Sequence, residues 1–146
     1  MTPRLDDFAG DWKVERVIDD RAGGQAGRFD GRGHFTPVGD GDLAYAEEGM
    51  LTLGSGAPLR ATRRHLWRAE GGRIAVDYAD GRPFHSFDPA DPAAEHQCGA
   101  DLYAVRYDFA DWPRWRAEWT VRGPRKDYTM TTEFVPLGAP AGDAAG

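Results

Sequence analysis

Cysteine is nearly absent from this chain: Cys98 stands alone among 146 residues. A single thiol cannot close an internal disulfide, so no oxidised framework is expected and a reducing, cytoplasmic setting fits. Long apolar runs are missing too, and no stretch approaches the ~18 apolar residues that a membrane span needs. The opening, MTPRLDDFAGDWKVER, has no apolar centre and carries Asp6, Asp7 and Asp11, unlike a secretory signal. Basic charge is in deficit, with 18 Lys and Arg against 24 Asp and Glu and a net charge of −6. Nucleic-acid binders present a basic footprint, so nucleic acid is not an expected partner. Helical periodicity is also missing, apart from a short turn at PRLDDF before the first strand.

What the chain does have is aromatic side chains (12%) and 19 glycines, the composition of strands joined by tight turns. Period-two alternation runs throughout: Trp115, Ala117, Trp119 and Val121 alternate with Arg116, Glu118, Thr120 and Arg122. The same pattern sets Tyr103, Val105, Tyr107 and Phe109 on one face, and Tyr128, Met130, Thr132 and Phe134 on another. Turn chemistry (RAGG, GDGD, GSGAP, EGGR, ADGRP, RGPR) separates the runs. The spacing predicts strands at 10–19, 28–37, 42–53, 59–69, 73–79, 83–88, 94–98, 101–110, 113–122 and 126–135. With no helix to cover a sheet, eight to ten antiparallel strands are expected to close into an up-and-down β-barrel spanning residues 1–136. A β-sandwich is the alternative. Residues 137–146, rich in Gly and Ala, read as a flexible tail.

Alternation also assigns polar groups to the inner face. Arg16 is in phase with Trp12, Val14 and Ile18; Glu47 with Leu43, Tyr45 and Leu51; Arg63 and His65 with Leu59, Ala61 and Trp67. The rest of the basic cluster RATRRHLWR, namely Arg60, Arg64 and Arg68, falls outside. Charges inside a barrel are costly unless paired or facing water or a ligand. One reading pairs Glu47 with Arg63 and Arg16 as a structural network. The other has Arg16 and Arg63 present their guanidinium forks to a carboxylate or phosphate. Two Arg against one Glu leave positive charge over, which favours an anion site. Tyr45, Trp67, Tyr103, Tyr107, Trp115, Trp119 and Tyr128 would supply apolar walls.

The stretch HQCGADLY (96–103) sets His96, Cys98 and Asp101 close together. H-x-C is not the spacing of a structural zinc site, and no second cysteine exists. His96 and Cys98 at i and i+2 are poorly placed for a thiolate–imidazole pair. The preferred reading makes Cys98 a small buried hydrophobe, Gly99 a turn and Asp101 a backbone acceptor in it. His96 would line the pocket rim. Arg82 and Lys126, beside the turns DGRP and RGPRK, are placed to ring a barrel mouth.

The opening FAGDWKVER resembles the G-x-W first strand of the lipocalin-like (calycin) superfamily, in which a tryptophan closes the barrel base. That resemblance implies a basic residue, here Arg122, Arg125 or Lys126, packed over Trp12. The ordered set YAEEG, RRHLW, DGRPFHSFD, HQCGADLY and WTVRGPRKDY resembles a family of uncharacterised small lipocalin-like proteins, a domain of unknown function, over residues ~8–136. The resemblance directs attention to Arg16, Tyr45, Glu47, Gly49, Arg63, Asp80, Gly81, Arg82, Phe84, His85, His96, Cys98, Asp101, Tyr103, Trp119, Gly123, Pro124, Lys126 and Tyr128, and expects a tyrosine where His65 stands. It implies a barrel and no particular chemistry.

Three functions that involve a small ligand or substrate remain open, beside a structural or interaction module that takes none. A binding barrel would hold a small, mostly apolar ligand with an anionic group on Arg16 and Arg63, oriented by Glu47 and His65. An enzyme would use Glu47 with His65, or His85 with Asp101, as an acid–base pair. A haem or metal carrier would use His65, His85 or His96. No motif names a cofactor, and fold class alone does not choose among these.

Overall fold

The computed structural model describes residues 2–138. The expected tail lies, from residue 139 onward, outside the described residues. Ten antiparallel strands form one sheet: β1 (Gly10–Asp20), β2 (Gln25–Val38), β3 (Asp42–Leu53), β4 (Leu59–Glu70), β5 (Arg73–Tyr78), β6 (Pro83–Phe87), β7 (Ala93–Cys98), β8 (Asp101–Asp108), β9 (Trp115–Arg122) and β10 (Asp127–Pro136). Each strand pairs with its chain neighbour, except across β6 and β7, and β1 pairs with β10. The sheet therefore curls into an up-and-down barrel whose two ends meet at β6 and β7. No helix among the described residues is long and apolar enough to cross a membrane.

Closure at that seam is made by side chains. β6 and β7 share no ladder, and only the Asp88–Asp91 bridge stands beside them. Pro83, Pro89 and Pro92 remove backbone donors around the seam. In place of a ladder, Phe84 meets His96 edge-on at 5.3 Å, and His85 Nε2 hydrogen-bonds the Tyr107 hydroxyl on β8 at 2.8 Å. The barrel expected to close is thus closed by backbone pairing everywhere but here: two short edges remain, facing each other.

Burial follows the alternation where one face meets water. Trp115, Ala117, Trp119 and Val121 are buried, and Arg116, Glu118 and Arg122 are exposed. β5 departs from it, because Asp77 on the outer side is buried beneath Arg68, whose Nε donates to its carboxylate at 2.7 Å. The expected turn at PRLDDF is a 3-10 turn, Leu5–Phe8. It plugs one end of the barrel: Phe8 is fully buried, with the rings of Phe35, Trp67, Phe109, Trp112 and Trp115 at 4.9–5.8 Å. Trp12 Nε1 donates to the Phe8 carbonyl at 2.9 Å and ties the plug to β1.

Register corrects the expected cation over Trp12. Trp12 pairs with Pro136 at the plugged end, whereas Asp20 pairs with Tyr128 at the other end. Arg122 ends β9, and Arg125 and Lys126 lie in the β9–β10 turn beside Asp127, a strand's length from Trp12. Aromatic rings, Trp112 and Trp115, pack against Trp12 instead.

Candidate functional site

The centre of the barrel holds a buried polar knot. Arg16 reaches across β2 and grips Glu47 with two bonds, Nη1 to Oε2 at 2.8 Å and Nη2 to Oε1 at 3.0 Å. Its Nε donates to Thr132 Oγ1 at 2.8 Å, and the Tyr45 hydroxyl donates to Glu47 Oε1 at 2.6 Å. The guanidinium also lies 5.1 Å from the Phe29 ring centroid. Thr132 enters through register, since it faces Arg16 across the β1–β10 pair.

Glycine makes this crossing possible. The lumen-facing column of β2 reads Gly27, Phe29, Gly31, Gly33, Phe35, so three of its positions leave room. A Cβ on Gly33 would stand 2.6 Å from the Tyr45 hydroxyl oxygen. One on Gly31 or Gly49 would run into the backbone of the facing strand. Removing side chains from β2 lets β1 and β3 meet above it.

Burial by itself would push the Glu47 carboxyl up, but the hydrogen bonds and charge of Arg16 outweigh it and hold the pKa below the usual range. Burial and the Glu47 charge raise the Tyr45 phenol well above its usual value. The knot is therefore a neutral ion pair capped by two hydroxyls.

Arg63 is outside this arrangement. It faces Glu47 in the β3–β4 register, yet Glu47 turns to Arg16 and leaves it unpaired. Among the described residues Arg63 makes no ion pair or side-chain hydrogen bond, although it is half-buried in the lumen. Burial, then the nearby Arg16 charge, pulls its pKa below that of an ordinary guanidinium. The expectation that Glu47 joins both arginines is corrected: it serves one. Likewise Arg16, read as an anion anchor, has its charge met by Glu47 and its Nε and one N–H of each Nη already bonded.

On the plug side of the knot lies a cavity of about 50 Å³. Of the sequence candidates, Arg16, Tyr45, Glu47, Arg63, His65, Trp67, His85 and Trp119 line it. His65 Nδ1 lies 3.3 Å from the Asp77 carbonyl, and burial followed by the Arg63 charge lowers its pKa. Burial lowers His85 to about 3, so its ring is neutral near pH 7. His85 Nδ1 and Trp115 Nε1 are buried without a partner among the described residues. Phe84, Tyr107, Trp115 and Thr132 line the same space. Their strand phase carried that signal for Tyr107, Trp115 and Thr132, and the family resemblance carried it for Phe84.

His96, Asp101, Tyr103 and Tyr128 do not line this cavity. They sit at the unplugged end, where β7, β8, β9 and β10 turn. Lys126 Nζ bonds Asp101 Oδ2 and the Tyr103 hydroxyl, each at 3.1 Å. Asp101 is thus committed to a lysine, and its expected role as a backbone acceptor in the turn is corrected. It also cannot serve His85, whose partner is Tyr107. HQCGADLY proves to be a tight hairpin: Cys98 pairs with Asp101 around Gly99 and Ala100, and Gly99 has φ 61°, the left-handed region glycine tolerates. Cys98 ends β7 beside this turn and is exposed, which corrects its reading as a buried hydrophobe. Among the described residues no three His, Cys, Asp or Glu side chains converge to hold a metal.

Residues 8–136 match the model of a family of unknown function (DUF6314). The chain belongs to that family. No curated protein matches this member. In three dimensions it resembles the S-type phycobiliprotein lyase CPES from Guillardia theta, with TM-score 0.68 and 10% identity over 92% of this chain and 91% of that one. A redesigned β-barrel, mFAP0, solved bound to DFHBI, aligns with TM-score 0.45 and 16% identity over 88% of this chain and 97% of its own. The first likeness supports a lipocalin-like barrel for this family member.

Proposed function

We propose that this DUF6314 member is a binding barrel for a small, mostly apolar molecule whose anionic group, a carboxylate or phosphate, docks on Arg63. The observation that carries the reading is the lone guanidinium: Arg16 and Glu47 neutralise each other, and Arg63 keeps a charge in the lumen with no partner among the described residues. A desolvated, unpaired cation is costly unless an anion or water meets it, and a guanidinium fork matches an oxyanion. Arg16, Glu47 and Tyr45 act as the scaffold beside which Arg63 stands, and His65 is the neutral neighbour that adjusts local polarity. Binding is favoured over acid–base catalysis because both Glu47 oxygens are occupied and its pKa is held low, leaving no proton to deliver near neutrality. The single exposed thiol suits a reducing, cytoplasmic setting.

The test is a thermal-shift screen against aliphatic and aromatic carboxylates and phosphate monoesters, run on the native chain and on Arg63→Ala. Ligands that raise the native melting temperature should lose that effect in the variant while its unliganded fold is retained. A shift that survives the substitution undamaged sinks the anchor.

A further inference from the structure

The knot has space on both sides. Toward the unplugged end lies a second cavity of about 90 Å³, with Arg16, Glu47 and Arg63 on one side and Ile18, Leu51, Ala61 and Met130 among its walls. Strand phase carries these walls outward. Leu53 follows Leu51 on β3, and Leu59 precedes Ala61 on β4, so both leucines sit in lumen-facing positions. Yet Leu53 is 39% and Leu59 59% exposed. A leucine in lumen phase that stays in water marks a mouth that nothing among the described residues covers, in contrast to the end filled by Phe8. The cavity thus has an unpaired cation at its depth, aliphatic walls and an aliphatic lip.

Other cations stand at this end: Arg21, Arg82 and Lys126 are engaged by carboxylates, and Arg122 and Arg125 are exposed to water. Arg82 Nε bonds Asp80 at 2.8 Å, and Lys126 bonds Asp101. Arg63 is the cation that an anionic head meets inside the lumen, out of bulk water. The plug-side cavity of about 50 Å³ is walled mainly by aromatic rings, among them Phe35, Trp67, Phe84, Tyr107, Trp115 and Trp119. The outer chamber is the one whose walls and lip are mainly aliphatic.

Resting on the anion-site reading above, we infer that the ligand is a straight-chain aliphatic carboxylate. It binds in this outer chamber with its head on Arg63 and its chain running past Leu51 and Met130 to Leu53 and Leu59. A flexible chain follows Ile, Leu and Met surfaces.

The experiment is calorimetric titration of the full chain with butyrate, hexanoate, octanoate and decanoate below their micellar concentrations, with octanol and naphthoate as comparators. Affinity should climb about fourfold per methylene, the transfer value for a buried CH₂, and level off once the chain passes the lip. Octanol, lacking the charge, should bind about tenfold or more weakly than octanoate. Leu59→Asp, an exposed change that leaves the melting temperature in place, should weaken octanoate about tenfold. Arg63→Ala should weaken every carboxylate. Naphthoate binding that depends on Arg63, with octanoate silent or indifferent to Leu59→Asp, overturns the aliphatic assignment and leaves the anion site standing. Binding that survives Arg63→Ala, or none by any carboxylate, overturns the anion site and this inference with it.

Discussion

The two lumen arginines should respond to the same substitution in opposite ways. Arg16 and Glu47 side chains are 7% and 2% exposed and joined by two bonds of 2.8 and 3.0 Å. Removing one member of such a pair strands the other charge in the core, which costs about 3–5 kcal/mol. At about 2–4 °C per kcal/mol for a domain of this size, Arg16→Met should lower the melting temperature by roughly 10–15 °C. Arg63→Met removes a desolvated guanidinium that has no partner and is repelled by Arg16, so the midpoint should hold or rise. Urea unfolding at pH 7 gives the comparison directly. Acid adds a second check. In the native chain Glu47 is held below its ordinary pKa, so its contribution is complete above about pH 4.3 and is lost as pH falls through the folded value. In Arg16→Met the desolvated carboxyl should titrate above the ordinary value, so the deficit against native protein should narrow as the pH falls. Equal losses from Arg16→Met and Arg63→Met, or a loss below about 1 kcal/mol from Arg16→Met, would refute the partition of the knot.

Histidine burial gives a second pH signature. His85 falls to about 3 from 6.5, so the unfolded chain binds a proton that the folded chain refuses. Stability should therefore be full above about pH 6.5 and decline toward pH 3, by up to about 1.4 kcal/mol per pH unit from this residue. Urea midpoints taken between pH 7 and pH 5 should fall less steeply in His85→Gln, and an unchanged slope would show that His85 is not the group responsible. Glycine on β2 offers a third. Gly33→Ala places a Cβ 2.6 Å from the Tyr45 hydroxyl oxygen, so the ring must move off Glu47. Such overpacking costs about 1–3 kcal/mol, and thermal melts of Gly33→Ala, Tyr45→Phe and the double variant should show losses that do not add.

Most of the fold was legible because one face of each strand meets water. Alternation located all ten strands and put Arg16, Glu47, Arg63 and His65 on the lumen side, where the structure has them. β2 was read three residues short at its start, since Gln25, Ala26 and Gly27 carry no apolar signal. β9 was read two residues early, since Pro113 and Arg114 belong to the preceding turn. The partners inside the lumen were not legible. Cross-strand register pairs Glu47 with Arg63, whereas the bond that forms runs over β2 to Arg16. That route depends on glycines whose meaning is the absence of a side chain, and period counting passes over them.

The sequence by itself determined the architecture, the lumen-facing set and the surplus of one positive charge inside, because these follow from strand period and composition. Tertiary structure alone decided which arginine is neutralised and which stays free. It also moved His96, Asp101, Tyr103 and Tyr128 to the rim and left β6 and β7 joined by side chains. Phase says which face a residue takes, and only the curl of the sheet says what lies opposite.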